Sequence, residues 1–236
     1  MKSNIGFTTK KNYLSFCEKD KMIVCPLTNK KCFKLSKSDI GVCALEHNGL
    51  KQIICPSLFP KKKIFDLIAD KIIKTNNYSI FSEVKLGDNF LDYLMVDKNV
   101  GDNYCGIEFQ ALDTTGNYRW LFGEKVKPFC INWKTTKKTI LSQLITKAKI
   151  FLDEKKKIVL VIQSSFLRYL NFQNLKQTIN GDIIILAFDY VNTKFSNLEL
   201  HSICFDDLLT AFTAGSVSLK DVVNKTIKGS KTTEII

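Results

Sequence analysis

The chain has 236 residues, 45% of them hydrophobic and 25% charged, and a formal net charge of +12. That balance excludes a disordered or fibrous chain and allows one large domain, or a domain with a small module. The positive excess favours a polyanionic partner, of which nucleic acid is the commonest for a soluble protein. The excess is carried almost wholly by lysine, since the only arginines are Arg119 and Arg168. A bias toward Lys, Ile and Asn also arises from an AT-rich coding genome, so charge alone does not fix the partner. No apolar run reaches the roughly 18 residues of a membrane span, and the N-terminus lacks a secretory apolar core, so a cytoplasmic protein without membrane attachment is expected. In that reducing compartment the eight cysteines are not expected to form a disulfide framework.

The cysteines crowd the first quarter of the chain. From Cys25 they run C-P-x5-C-x10-C-x11-C-P through Cys25, Cys32, Cys43 and Cys55. Four thiolates suit one tetrahedral Zn²⁺ or an iron ion, and such a site stabilises a segment too small and polar for a core of its own. Unligated, partly buried cysteines are the alternative; Cys17 is the substitute ligand, and His47 a weaker one. A metal-binding module over 1–60 followed by a larger domain over 61–236 is the expected division.

After Pro60, apolar residues at Ile64, Leu67, Ile68 and Ile72 predict a helix that ends before Asn76. Phe81 to Gly87 follows, where Glu83 is either a further acidic group near the site or a solvated boundary residue. Two strand-like runs come next, opening at Asp92 and ending near Asp113, joined by a turn over 98–103 rich in Asn, Gly and Asp. Alternation along the second run puts Glu108, Gln110 and Leu112 on one side and Ile107, Phe109 and Ala111 on the other. Asp92 then approaches Glu108 from the neighbouring strand. Two carboxylates beside a polar side chain make a plausible Mg²⁺ site, because hard cations take oxygen ligands. The same pattern also serves a plain surface hairpin whose polar residues face water.

Asp113 to Gly116 predicts a turn. Asn132-Trp133-Lys134 leads into a strong helix over about 135–153, with Ile140, Leu141, Leu144, Ile145, Ala148, Phe151 and Leu152 on its apolar side and Lys134, Lys137, Lys138 and Lys147 left mainly for the solvated faces. Continuous apolar runs at 158–162 and 183–188 predict strands covered on both faces, as in the centre of an α/β sheet. A short helix is expected between them, an edge strand at 198–203, and helices at 205–212 and 219–227.

Leu91-Asp92-Tyr93 opening a strand, Gly106-Ile-Glu108-Phe-Gln110-Ala-Leu-Asp-Thr-Thr-Gly116, and Asn132-Trp133-Lys134 before Leu141-x-Gln143 together resemble the NotI-type restriction endonucleases, within the wider PD-(D/E)xK nuclease class. The order of Cys25, Cys32, Cys43 and Cys55 is similar to that family's N-terminal four-cysteine site, which there holds iron. The resemblance covers about residues 25–190. It implies an α/β nuclease core, a mixed central sheet flanked by helices, and a bacterial type II enzyme that cuts double-stranded DNA at a palindrome, needs Mg²⁺ and works as a homodimer. Carried over by position, Asp92 and Glu108 are the metal-binding carboxylates, with Asp97 as fallback for Asp92. Gln110 stands where the wider class usually has lysine. A glutamine carries no charge, so Gln110 can only orient the attacking water. Two other classes fit the same residues: a non-catalytic, metal-stabilised DNA-binding protein, and a PD-(D/E)xK nuclease of DNA repair.

Overall fold

A computed structural model describes residues 16–18, 40–47, 50–116, 124–127, 130–191 and 194–213. Its strands are β1 (Phe16–Glu18), β2 (Ile40–Val42), β3 (Ala44–His47), β4 (Leu50–Ile53), β5 (Tyr78–Leu86), β6 (Asn89–Asp97), β7 (Tyr104–Phe109), β8 (Thr114–Thr115), β9 (Cys130–Ile131), β10 (Lys157–Gln163), β11 (Ile183–Val191) and β12 (Lys194–Ile203). The helices are α1 (Lys61–Ile68), α2 (Trp133–Asp153), α3 (Ser164–Leu170) and α4 (Phe205–Thr213).

A six-stranded mixed sheet in the order β12-β11-β10-β7-β6-β5 forms the centre. β5, β6 and β7 make an antiparallel meander, β7, β10 and β11 run parallel, and β12 returns antiparallel at the edge. Parallel neighbours need crossovers, and α2 and α3 supply them. Both crossovers step the same way across the sheet, so one handedness lays both helices on one face. There α2, α3 and Leu208 of α4 cover Ile158, Leu160 and Ile162 of β10 and Ile183 and Ile185 of β11. On the other face α1 covers Met95, Ile107, Val159, Val161, Ile184 and Leu186. Burial from both sides explains the uninterrupted apolar runs: residues 158–162 and 183–188 are fully inaccessible.

The helix after Pro60 takes a form that periodicity does not show. α1 passes into a π-helical turn, Ala69–Ile73, closed by Lys74 in the left-handed region at φ 60°. A π turn inserts one residue, so the buried position one turn beyond Ile68 and Ala69 falls on Ile73 instead of Ile72. The turn at 98–103 forms as expected. Asp97, which is 5% exposed, holds it by accepting hydrogen bonds from the Asn99 N–H and from Asn103 Nδ2. Those bonds keep its carboxyl below the usual carboxylate range, the Asn99 N–H contributing most. Asp97 thus sits at the far end of β6 from Asp92 as a turn residue, away from the position a fallback metal ligand requires.

α2 begins two residues earlier than the apolar pattern suggests. The Asn132 side chain caps it, accepting from the Thr135 N–H at 3.1 Å, a contact worth about 1 kcal/mol. Ile140, Leu141, Leu144, Ala148 and Phe151 are buried as expected, each large one contributing roughly 1.5–3 kcal/mol. Phe151 comes so close to β7 that a Cβ at Gly106 would lie 2.6 Å from its Cζ and 3.2 Å from Leu91 Cδ1. Gly106→Ala should therefore lower the unfolding free energy measured by urea titration by about 1–3 kcal/mol, and Phe151→Leu in the same chain should recover part of the loss. An unchanged midpoint would show that the helix moves away freely. The expected strand at 198–203 is longer, Lys194–Ile203, and does lie at the edge. The helix expected at 219–227 lies outside the described residues.

Candidate active site

β6 and β7 pair in a register that sets Tyr93 against Ile107 and Leu94 against Gly106. One residue further along, Asp92 and Glu108 face each other, and there the ladder changes character. The Asp92 N–H donates to Glu108 Oε1 at 3.2 Å, and the Phe109 N–H donates to Asp92 Oδ2 at 2.8 Å. Each carboxylate takes a main-chain donor from the opposite strand, where a regular sheet would use a carbonyl. Both are thereby fixed in direction, and Asp92 Oδ1 makes no hydrogen bond among the described residues.

Alternation along β7 turns Glu108 toward the α2 face, Leu112 with it, and sends Ile107, Phe109 and Ala111 to the opposite layer. Under α2, Glu108 meets Lys147: Nζ lies 2.8 Å from Oε2, and both side chains are 5% exposed. This corrects the assignment of Lys147 to a solvated face. The pairing follows from a match of repeats. Phe151 sits over Gly106, and one helical turn back, about 6 Å, Lys147 sits over Glu108, two residues and about 6.6 Å along the strand. The signal was in the sequence, because Lys147 falls within the stripe Ile140, Leu144, Ala148, Phe151.

Burial, and after it the negative charge of Asp92, hold the Glu108 carboxyl above its ordinary range, while Lys147 and the Asp92 N–H pull it down. Asp92 raises the affinity of Glu108 for positive charge, and two facing carboxylates form a donor set suited to a hard cation. Gln110 belongs to the same side of the chain, but its Nε2 donates to the Ala111 carbonyl at 2.5 Å and its N–H to Val161 O at 3.0 Å. Glu83 stands across from Asp92, between the Ser82–Tyr93 and Val84–Leu91 pairs, but it is exposed with φ 53° and does not join the pair in a metal-sized cluster. Among the described residues no three His, Cys, Asp or Glu side chains gather closely enough to hold a metal ion.

The cysteine segment reaches this end of the sheet. Cys43 and Cys55, both buried, meet at the base of the β3–β4 hairpin, where the Cys43 carbonyl accepts from the Ile54 and Cys55 N–H groups. Cys17 on β1 pairs with Gly41, whereas His47 lies at the hairpin's turn end. Cys25 and Cys32 lie outside the described residues. Sequence reasoning missed Gln163, the last residue of β10 and 2% exposed: its Oε1 accepts from the Ile53 N–H at 2.7 Å and its Nε2 donates to the Ile53 carbonyl at 3.1 Å. The same carbonyl also takes the Leu112 N–H. A buried amide at the end of an otherwise apolar strand was the available signal.

No protein-family model matches the chain, and no curated protein matches it. Among solved structures, Pyrococcus furiosus SfsA in complex with Ca²⁺ is similar over 71% of this chain and 72% of its own, with 16% identity and a TM-score of 0.36.

Proposed function

We propose that the protein is a divalent-cation-dependent nuclease with a PD-(D/E)xK-type core that hydrolyses phosphodiester bonds of double-stranded DNA. In its specific form this is a type II restriction endonuclease of the NotI kind, acting as a homodimer on a palindrome. The observation that carries the reading is the Asp92–Glu108 pair, cross-bonded between β6 and β7 with Lys147 against it. Asp92 and Glu108 would hold Mg²⁺, which when bound neutralises charge on a phosphoryl oxygen and makes water a better nucleophile at neutral pH. The chain's own part is placement. The Phe109 N–H fixes one carboxylate, and Lys147 with the Asp92 N–H fixes the other. Lys147 also offsets one of the two negative charges, so that a phosphate meets less repulsion than two bare carboxylates would exert. Gln110 would steer the attacking water through its amide oxygen. Exposed lysines, Lys134 and Lys138 among them, would supply the salt-dependent part of DNA affinity. An Fe or Zn ion on Cys25, Cys32, Cys43 and Cys55 completes the reading as a structural element.

One observation favours the non-catalytic DNA-binding alternative: both Glu108 oxygens are already engaged, one by the Asp92 N–H and one by Lys147. The two readings separate on incubating the full chain with a large sequenced DNA in Mg²⁺ or in EDTA and sequencing the ends. Fragments with constant ends in Mg²⁺ alone are expected. A smear would replace the restriction enzyme with a sequence-blind nuclease of the repair kind. DNA that is bound and stays intact in Mg²⁺ would overturn nuclease activity altogether.

A further inference from the structure

We propose that the cavity among α2, α3 and α4 is a nucleobase-binding site that takes an unstacked base of a polynucleotide strand. One aromatic ring, Tyr169, lines it, and two further rings pack against that one. Phe166 is fully buried and stacks on Tyr169, with centroids 6.3 Å apart and planes 13° apart; Trp133 leans on both, at 6.2 Å and 25° from Phe166 and 5.4 Å and 33° from Tyr169. The inner ring is rigid, and the outermost, Tyr169, is 42% exposed. A half-exposed ring backed by two others offers a flat apolar face already fixed in place, as base stacking requires.

Tyr169 opens onto a cavity of 360 Å³ that is also lined by three amides, Asn171, Gln173 and Asn174, and by Asp207 and Lys137. Amides present donors and acceptors together and so match the edges of bases. Asp207 is held in place by Asn174 Nδ2 and the Cys204 thiol. A carboxylate so placed accepts from the exocyclic amino group of a base and repels a phosphate. The base therefore goes inward, while the backbone stays out along Lys134, Lys137, Lys138 and Arg168.

Position ties the cavity to the carboxylates. Lys137 and Lys147 lie on the same helix ten residues apart, about 15 Å at 1.5 Å per residue, or roughly four base-pair steps. A strand hydrolysed at Asp92 and Glu108 is long enough to place a base here. That connection rests on the nuclease reading; capture of a base does not.

The test is anisotropy of a dye-labelled eight-residue oligodeoxycytidine with the full chain in EDTA, where cleavage cannot intrude, beside a labelled abasic strand of the same length. The intact strand should bind at least about tenfold more tightly. Tyr169→Ala, at an exposed position, should remove about tenfold of its affinity, and Tyr169→Phe should keep it. Equal binding of the two strands, or no change in Tyr169→Ala, would overturn the base site. Base-dependent binding in a protein that never cuts DNA in Mg²⁺ would overturn the nuclease reading and leave this site standing. Cutting without base-dependent binding would do the reverse.

Discussion

Lys147→Met is expected to lower the unfolding free energy by about 3–5 kcal/mol at neutral pH, the cost of leaving one partner of a buried ion pair unmatched. The lysine is the only cation against Glu108 among the described residues, and both side chains are almost wholly excluded from water. Without it, Glu108 faces Asp92 in a dry environment and gains protons more readily than in the unfolded chain. A carboxyl whose folded pKa is raised destabilises the fold as pH climbs above its unfolded value, here 4.5. The gap between wild type and variant should be small near pH 4.5 and widen upward, as denaturant titrations at several pH values would reveal. Adding Glu108→Gln to Lys147→Met should recover most of the loss, because the amide oxygen at position 108 still accepts from the Asp92 N–H and no charge is stranded. If the single and double variants are equally unstable, the lysine's stem packs and its charge does nothing.

Asp92→Asn should separate stability from activity in opposite directions. The side-chain oxygen that accepts from the Phe109 N–H is retained, so the local backbone has no reason to move. The charge that pushes Glu108 upward is lost, and the fold should gain about 0.5–1 kcal/mol, the kind of gain seen when a strained functional group is neutralised. Cleavage of DNA in Mg²⁺ should fall about 10²–10³-fold or more, the range for losing one electrostatic stabiliser of a transition state. Full activity in this variant would remove Asp92 from the site. Lost activity together with lost stability would make it a purely structural residue.

How much of this was legible in the sequence depends on how far apart the partners lie. The alternation at Glu108 could be read because each side chain on β7 meets a fixed face two residues on, and the apolar runs of β10 and β11 because only double coverage tolerates them. The facing of Asp92 and Glu108 needed only a hairpin. Lys147 could be read as lying within the apolar stripe of α2, but its pairing with Glu108 could not be placed without knowing that α2 folds back over β7. Gln163 and Ile53 stand 110 positions apart, and nothing local to either announces the other. The shift from Ile72 to Ile73 was hidden because a π turn leaves no mark in composition.

The strands of the central sheet follow one another in space in the order in which they occur along the chain. A growing polypeptide can therefore extend the sheet at a single advancing edge, each newly made strand joining the one before, with no earlier gap to be filled later. The carboxylate pair is complete once β7 has emerged, and for a time the nascent meander carries two facing negative charges with nothing above them. The next helix delivered is α2, bringing both the apolar stripe and the cation that the exposed meander lacks. Growth ends with β12, whose Asn197 at φ 49° and irregular pairing near Asp189, together with Glu199, make a poor template for a further strand. The order of synthesis thus leaves the apolar edge of β11 open only until the next strand arrives.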